Sequence, residues 1–141
     1  MRHYNIFDHT ADLGVDVFGE TQADLFRQAA LALFDLLIEA FDVQASASPE
    51  VRGLAITGAD SADLFVNFLR EVLYLFNGDR LVLTDCRIGR VDETQLTAEI
   101  RCDRFDASRY RVRTEIKAVT YHQASVRKTE NGWMGRVIFD V

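Results

Sequence analysis

The sequence contains few of the residues that interrupt or crosslink a fold. Its 141 residues include one proline, Pro49, and two cysteines, Cys86 and Cys102. The cysteines match no metal-ligand spacing, so we expect two buried, reduced thiols, with a disulfide as the alternative. Hydrophobic residues make up 48% of the chain, which is enough for one core. We therefore predict a single domain over residues 1–141.

Several class-defining features are also absent. The N-terminus lacks the apolar stretch of a signal peptide, and no apolar run approaches the roughly 20 residues of a membrane span. There is no G-x-x-x-x-G-K-[ST] loop, no G-x-G-x-x-G, no G-x-S-x-G and no paired C-x-x-C. No nucleophile stands beside an obvious base. We expect a cytoplasmic protein without a membrane segment.

Positive charge is in deficit over most of the chain. The net charge is −6, from 16 basic and 22 acidic residues, so stable binding to nucleic acid by the protein alone is not expected. Residues 101–141 differ, with 9 basic and 5 acidic side chains. Either these strands carry ordinary solvated charges, or they offer a face to an anionic partner.

Apolar residues at helical spacing predict two amphipathic helices. The first begins after an N-cap at Thr21 and ends near Phe41. The second begins after Asp60 or Ser61 and should stop at a left-handed Gly78. A loop is predicted over residues 42–49.

The remaining pattern is that of β-strands. Alternating residues and an Asn-Gly hairpin signal at positions 131–132 predict mostly antiparallel pairing. The fold class is therefore α+β, with the two helices packed on a mostly antiparallel sheet. The predicted strands cover residues 2–7, 13–18, 51–57, 80–88, 95–101, 110–120, 121–128 and 133–141.

A polar segment between the first two strands is the first candidate site. Asp8, His9 and Asp12 place two carboxylates and an imidazole within five residues. Carboxylate oxygens suit hard cations such as Ca²⁺, Mg²⁺ or Mn²⁺. The alternative is that Asp8 and Thr10 only hydrogen-bond the backbone of a turn.

The end of the sequence is the second candidate. Asp140 is followed by Val141, whose α-carboxyl group ionises well below neutral pH. If this end lay near Asp12, three carboxylates would converge, and such a cluster repels itself unless a cation lies between them. The alternative is an ordinary exposed end, because spacing alone does not bring Asp12 to Asp140.

The third candidate covers residues 114–122. Strand alternation would put Glu115, Lys117 and Val119 on one face. Lys117 is either a phosphate contact or, as we expect from the residues alone, a salt-bridge partner of Glu115. His122 is either a ligand or, by the same reasoning, a structural histidine.

Together these segments resemble one known family, the archeases. The resemblance extends through Leu33-Phe34-Asp35 and Leu73-Tyr74-Leu75-Phe76, so it covers essentially the whole chain. The matching signatures are Asp8-His9-Thr10-Ala11-Asp12-x-Gly14, Glu115-x-Lys117-Ala118-Val119-Thr120-Tyr121-His122 and Val137-Ile138-Phe139-Asp140-Val141.

The resemblance implies a function that the residues alone do not give. Archeases are protein cofactors of the GTP-dependent tRNA-splicing ligase, which joins RNA ends through a guanylylated histidine and Mn²⁺. The cofactor promotes guanylylation and multiple turnover, and no independent catalysis is expected of it. The matching metal-site residues are Asp12, Asp140 and Val141, with Lys117 as a further functional position. Ca²⁺ is the ion expected in structures.

Two other classes of function remain open from the residues. A stand-alone metal-dependent hydrolase would use the same carboxylates to hold a cation that activates water, with His9 or His122 as its base. A chaperone-like adaptor would need an exposed apolar patch.

Overall fold

A computed structural model describes residues 3–9, 12–41 and 49–141, with only the backbone of Asp8 and His9. Two helices lie among nine strands in these ranges. In chain order the elements are β1 (Tyr4–His9), β2 (Asp12–Gly19), α1 (Gln22–Leu37), β3 (Ile38–Ala40), β4 (Glu50–Thr57), α2 (Ser61–Asn77), β5 (Leu81–Val91), β6 (Gln95–Arg104), β7 (Tyr110–Val112), β8 (Ala118–Thr129) and β9 (Gly132–Asp140). Of the predicted loop at 42–49, only Pro49 lies in the described residues.

All strand pairs are antiparallel, and they form three sheets rather than one. The strand orders are β1-β2-β9-β8, β3-β7 and β4-β6-β5. Both helices contact the first and third of these sheets, so their apolar residues are buried from two sides. The α+β class is confirmed. None of the described helices is long and apolar enough to cross a membrane.

Local sequence signals fix where the helices begin. Thr21 Oγ1 accepts a hydrogen bond from the Asp24 backbone N–H at 3.0 Å. Asp60 Oδ1 accepts one from the Asp63 N–H at 2.8 Å. Each bond satisfies a backbone donor that the first helical turn leaves without a partner. The predicted helix starts are therefore confirmed, with Asp60 as the cap of α2.

The helix ends differ from prediction. Helix α1 stops at Leu37, short of Phe41, because Ile38 is extended and pairs with Val112 in β7. Gly78 is not left-handed; its φ is −89°. A Cβ at Gly78 would overlap the Tyr74 ring, so close packing rather than a left-handed conformation accounts for the glycine.

Residues 110–129 also depart from the predicted pair of strands. β7 ends at Val112, and the N–H of Arg113 bonds Leu37 O at 2.8 Å instead of continuing a ladder. Residues 113–117 are therefore not a strand. One long strand, β8, replaces the predicted break after residue 120, and its pairing with β9 is interrupted between Thr120 and Ser125. Gln123 in that interruption has φ 57°.

The two cysteines are free and buried, as expected. Burial raises the pKa of the Cys86 thiol to about 12 and that of Cys102 to about 11. Both side chains are therefore neutral at physiological pH and act as small apolar core residues.

Candidate functional site

The central feature is a pair of aspartates that the sheet brings together from the two ends of the sequence. Strands β2 and β9 are neighbours, and their register sets Asp12 directly opposite Asp140. Directly opposed side chains in an antiparallel pair lie on the same face, with Cβ atoms about 4.5–5.5 Å apart. Both residues are partly exposed. We call Asp12 and Asp140 the acidic pair.

The chemistry of the acidic pair suits a hard cation. Like charges directly opposite each other destabilise a sheet, and a divalent cation between two carboxylates removes that repulsion. Within the described residues, however, no group of three His, Cys, Asp or Glu side chains stands close enough to hold a metal ion. Two side-chain carboxylates are therefore placed together, and further oxygen ligands would have to come from elsewhere.

For Asp8 and His9 of the N-terminal candidate segment, the structure describes only the backbone. His9 is the last residue of β1 and lies opposite Asp12, whereas Asp8 lies opposite Leu13. Asp8, His9 and Asp12, which were predicted to lie in a loop, are therefore in strands. Thr10 and Ala11 of that predicted loop lie outside the described residues. The side chains of Asp8 and His9 lie outside the described residues.

A second cross-strand pair, on the same face of the sheet, links β2 to β9. Four residues along each strand from the acidic pair, Asp16 lies opposite Arg136. Arg136 donates from Nε to Asp16 Oδ1 at 2.7 Å and from its terminal nitrogen to Asp16 Oδ2 at 2.9 Å, and this bond raises the pKa of the guanidinium. Its guanidinium carbon also lies 4.4 Å from the centroid of the Phe7 ring. The sequence predicted none of these contacts.

Gly14 makes room for that arrangement. It lies between Asp12 and Asp16 on β2, opposite Phe7 on β1 and Ile138 on β9. A Cβ at this position would overlap the Phe7 ring. The glycine therefore lets Phe7 cover the sheet next to the acidic pair.

Lys117 lies beside the acidic pair, but in a different environment from that predicted. Its backbone N–H donates to Asp140 O at 2.7 Å, while its exposed side chain lines a cavity. The predicted salt bridge to Glu115 does not form within the described residues. The predicted common face is also wrong, because Val119 is buried while Glu115 and Lys117 are exposed.

His122 is not in register with the acidic pair. It is exposed and lies in the part of β8 where the register with β9 is interrupted, between Thr120 and Ser125. Its neighbour Tyr121 anchors that segment to α2 by donating to Asp63, which lowers the pKa of the Asp63 carboxyl and raises that of Tyr121. The Arg70 guanidinium lies 4.6 Å from the Tyr121 ring centroid.

The fold and the acidic pair define a small α+β protein with two opposed carboxylates on one sheet. Residues 4–141 match the model of the Archease protein family. The chain belongs to the archease family. Proteins named archease from Methanosarcina barkeri and Pyrococcus abyssi are 33% and 30% identical to it. The first alignment covers 99% of this chain and 97% of the relative, and the second covers both chains fully.

Two solved structures share the fold. The solution structure of a Methanobacterium thermoautotrophicum protein has a TM-score of 0.79 and 27% identity, with both chains fully covered. A crystal structure from Thermotoga maritima has a TM-score of 0.62 at 21% identity, with 96% of this chain and 94% of that chain covered. The Thermotoga protein is described as an archease and possible chaperone.

Proposed function

We propose that this protein is a cofactor of a GTP-dependent RNA-splicing ligase and acts through a divalent cation held at the acidic pair. Family membership supports a role exerted on a protein partner, and the observation that carries the proposal is the direct pairing of Asp12 with Asp140. A sheet has no structural need for two opposed carboxylates, because their repulsion weakens it. Binding of a cation would account for their position.

Asp12 and Asp140 would each supply carboxylate oxygens, and Val141 would add its α-carboxylate. A bound Ca²⁺, Mg²⁺ or Mn²⁺ would supply a positive charge to which oxygen atoms of a nucleotide or of a ligase side chain could also bind. The rest of the sheet would hold the carboxylates in place, since both strands are fixed by neighbours. The net negative charge of the whole chain would favour approach to a basic partner site. The protein itself would make and break no covalent bond.

The test is multiple-turnover RNA ligation by the partner ligase with GTP and Mn²⁺, with and without this protein. We expect stimulation by the wild type and its loss in Asp12→Asn and in Asp140→Asn. Glu130→Gln is the matched control, because it neutralises an exposed carboxylate in the turn before Gly132, at the opposite end of β9. A C-terminal extension should also reduce stimulation if the Val141 carboxylate takes part.

Circular dichroism of each variant separates loss of function from loss of fold. Undiminished stimulation by both folded aspartate variants would refute the role of the acidic pair. RNA or nucleotide turnover without any ligase would instead favour a stand-alone hydrolase. Equal suppression of aggregation by wild type and variants, with no change in ligation, would favour a chaperone-like role.

A further inference from the structure

A cavity of about 650 Å³ opens at the C-terminal end of α2. Lys117 in its lining donates its backbone N–H to Asp140 O of the acidic pair. Its floor is apolar and consists of buried side chains that include Leu37, Phe76 and Ile116. Its rim is polar and is formed by exposed residues that include Arg80, Glu115 and Lys117. We call it the cationic cavity. Its volume lies in the range of small-molecule sites, roughly 300–1,000 Å³.

Arg80 occupies a position whose backbone favours a different residue. Its φ is 55°, in the left-handed region that glycine and asparagine adopt most easily. Its N–H donates to Phe76 O at 3.0 Å and its carbonyl accepts from Phe105 N at 2.9 Å, so the conformation is held from both sides. An arginine here is explained by its side chain, whose guanidinium carbon lies 4.8 Å from the Phe76 ring centroid and beside the cavity.

Several basic residues in the C-terminal part of the chain already have carboxylate partners, unlike the two cations of the cavity. Four arginines of residues 101–141 pair with carboxylates: Arg104 with Glu50, Arg109 with Asp103, Arg111 with Glu39 and Arg136 with Asp16. Neither Arg80 nor Lys117 has an ion-pair partner within the described residues. Four of the nine positive charges in residues 101–141 are thus compensated by ion pairs. The charges of Lys117 and Arg80, which line the same cavity, are not compensated in this way among the described residues.

We propose that the cationic cavity binds a nucleotide, with its phosphates on Arg80 and Lys117 and its sugar or base against the apolar floor. Two cations on one rim favour a phosphate group, for which arginine offers paired donors and lysine a point charge. Glu115 on the same rim repels a bare phosphate but accepts hydrogen bonds from ribose hydroxyls or a base amino group. The combination fits a nucleotide better than an inorganic anion.

This site is separate from the cation site of the acidic pair, and its test needs no ligase. Uniformly ¹⁵N-labelled protein is titrated with ATP, GTP or tripolyphosphate in buffer containing EDTA, so that no divalent cation contributes. We expect saturable shifts of the amide signals of Asn77, Arg80 and Lys117, weaker at high salt because exposed charges are screened. Shifts that do not saturate, or that fall elsewhere, would overturn the proposal.

Substitution of Arg80 and of Lys117 tests whether these two side chains bind the nucleotide. Arg80→Asn suits the left-handed backbone and removes the charge, and Lys117→Ala removes the other. Each should weaken nucleotide binding by about tenfold or more, as expected for losing a charge-assisted hydrogen bond. The matched controls are Lys128→Ala, near the far end of β8, and Arg101→Ala on β6, both outside the cavity lining. Equal weakening by the controls would show only general charge attraction.

Glu115→Gln distinguishes a nucleotide from an inorganic anion. It should tighten tripolyphosphate binding, because a repelling carboxylate is removed, while leaving nucleotide affinity equal or lower. Binding of a single-stranded RNA oligonucleotide without binding of ATP or GTP would overturn the assignment to a small molecule. These outcomes hold whether or not the protein stimulates the ligase, so failure here and failure of the proposed function are distinguishable.

Discussion

Strands β2 and β9 carry two opposed pairs of side chains on one face, and the pairs differ in electrostatic character. Asp16 and Arg136 form a two-point ion pair, whereas Asp12 and Asp140 set two like charges against each other. The first pair stabilises the sheet, whereas like charges that lie directly opposite each other destabilise one, and a bound cation removes that repulsion. The same register thus builds a structural pair and, four residues away, a candidate binding pair.

The largest effect on stability should come from breaking the structural pair. Arg136→Ala should lower the free energy of unfolding by about 2 kcal/mol, since it leaves Asp16 without its charged partner and removes the contact with Phe7. Urea denaturation measures this. The control Arg127→Ala removes an exposed arginine of β8 that is bonded to Met134 Sδ and should change little. Equal losses in both variants would contradict the assigned role of the ion pair.

A smaller loss should follow from filling the space between the two pairs. Gly14→Ala forces the Phe7 ring to move and should cost roughly 1–2 kcal/mol. Gly53→Ala is the control, because it also lies in a strand but a Cβ there meets nothing within 4 Å. Thermal unfolding of both variants checks this, and a stable Gly14→Ala protein would show that Phe7 does not pack tightly on β2.

The smallest expected effect is an increase, rather than a decrease, in the free energy of unfolding. In EDTA, Asp140→Asn should raise the free energy of unfolding by roughly 0.5 kcal/mol, since it removes the repulsion within the acidic pair. Added Ca²⁺ should then stabilise the wild type more than the variant, because a ligand that binds only the folded state raises its stability. Melting curves with and without Ca²⁺ provide the measurement. A less stable variant in EDTA would mean that Asp140 has a structural role.

Features governed by local sequence were predictable, and those governed by distant contacts were not. The caps at Thr21 and Asp60 depend on residues three positions away, and the sequence contains that information. The end of α1 was missed because Ile38 takes its conformation from pairing with Val112. The interruption of β8 was also missed, because that segment contacts α2, through Tyr121 and Asp63, at a long distance in sequence.

The candidate site also combines features that the sequence predicts with features that depend on distant contacts. Asp12 and Asp140 were identified as candidate ligands from the residues, and the family resemblance implied one shared site. Spacing alone could not predict their proximity, because it depends on the order of strands in a sheet. Arg80 carries no motif and was missed; its left-handed backbone was expected at Gly78 instead. A non-glycine residue at positive φ becomes visible only when the helix end is placed in three dimensions.

The position of β9 within its sheet has a consequence for biosynthesis. This strand is formed by the last part of the sequence, yet it lies between β2 and β8 rather than at an edge. The Asp16–Arg136 contact alone spans 120 residues of sequence, and pairings of such long range form late and slowly. During translation β2 can pair with β1, but its other edge has no β9 to pair with until that strand emerges from the ribosome. The acidic pair therefore forms only after both β2 and β9 have been synthesised and have paired, so a polypeptide that lacks β9 cannot form it.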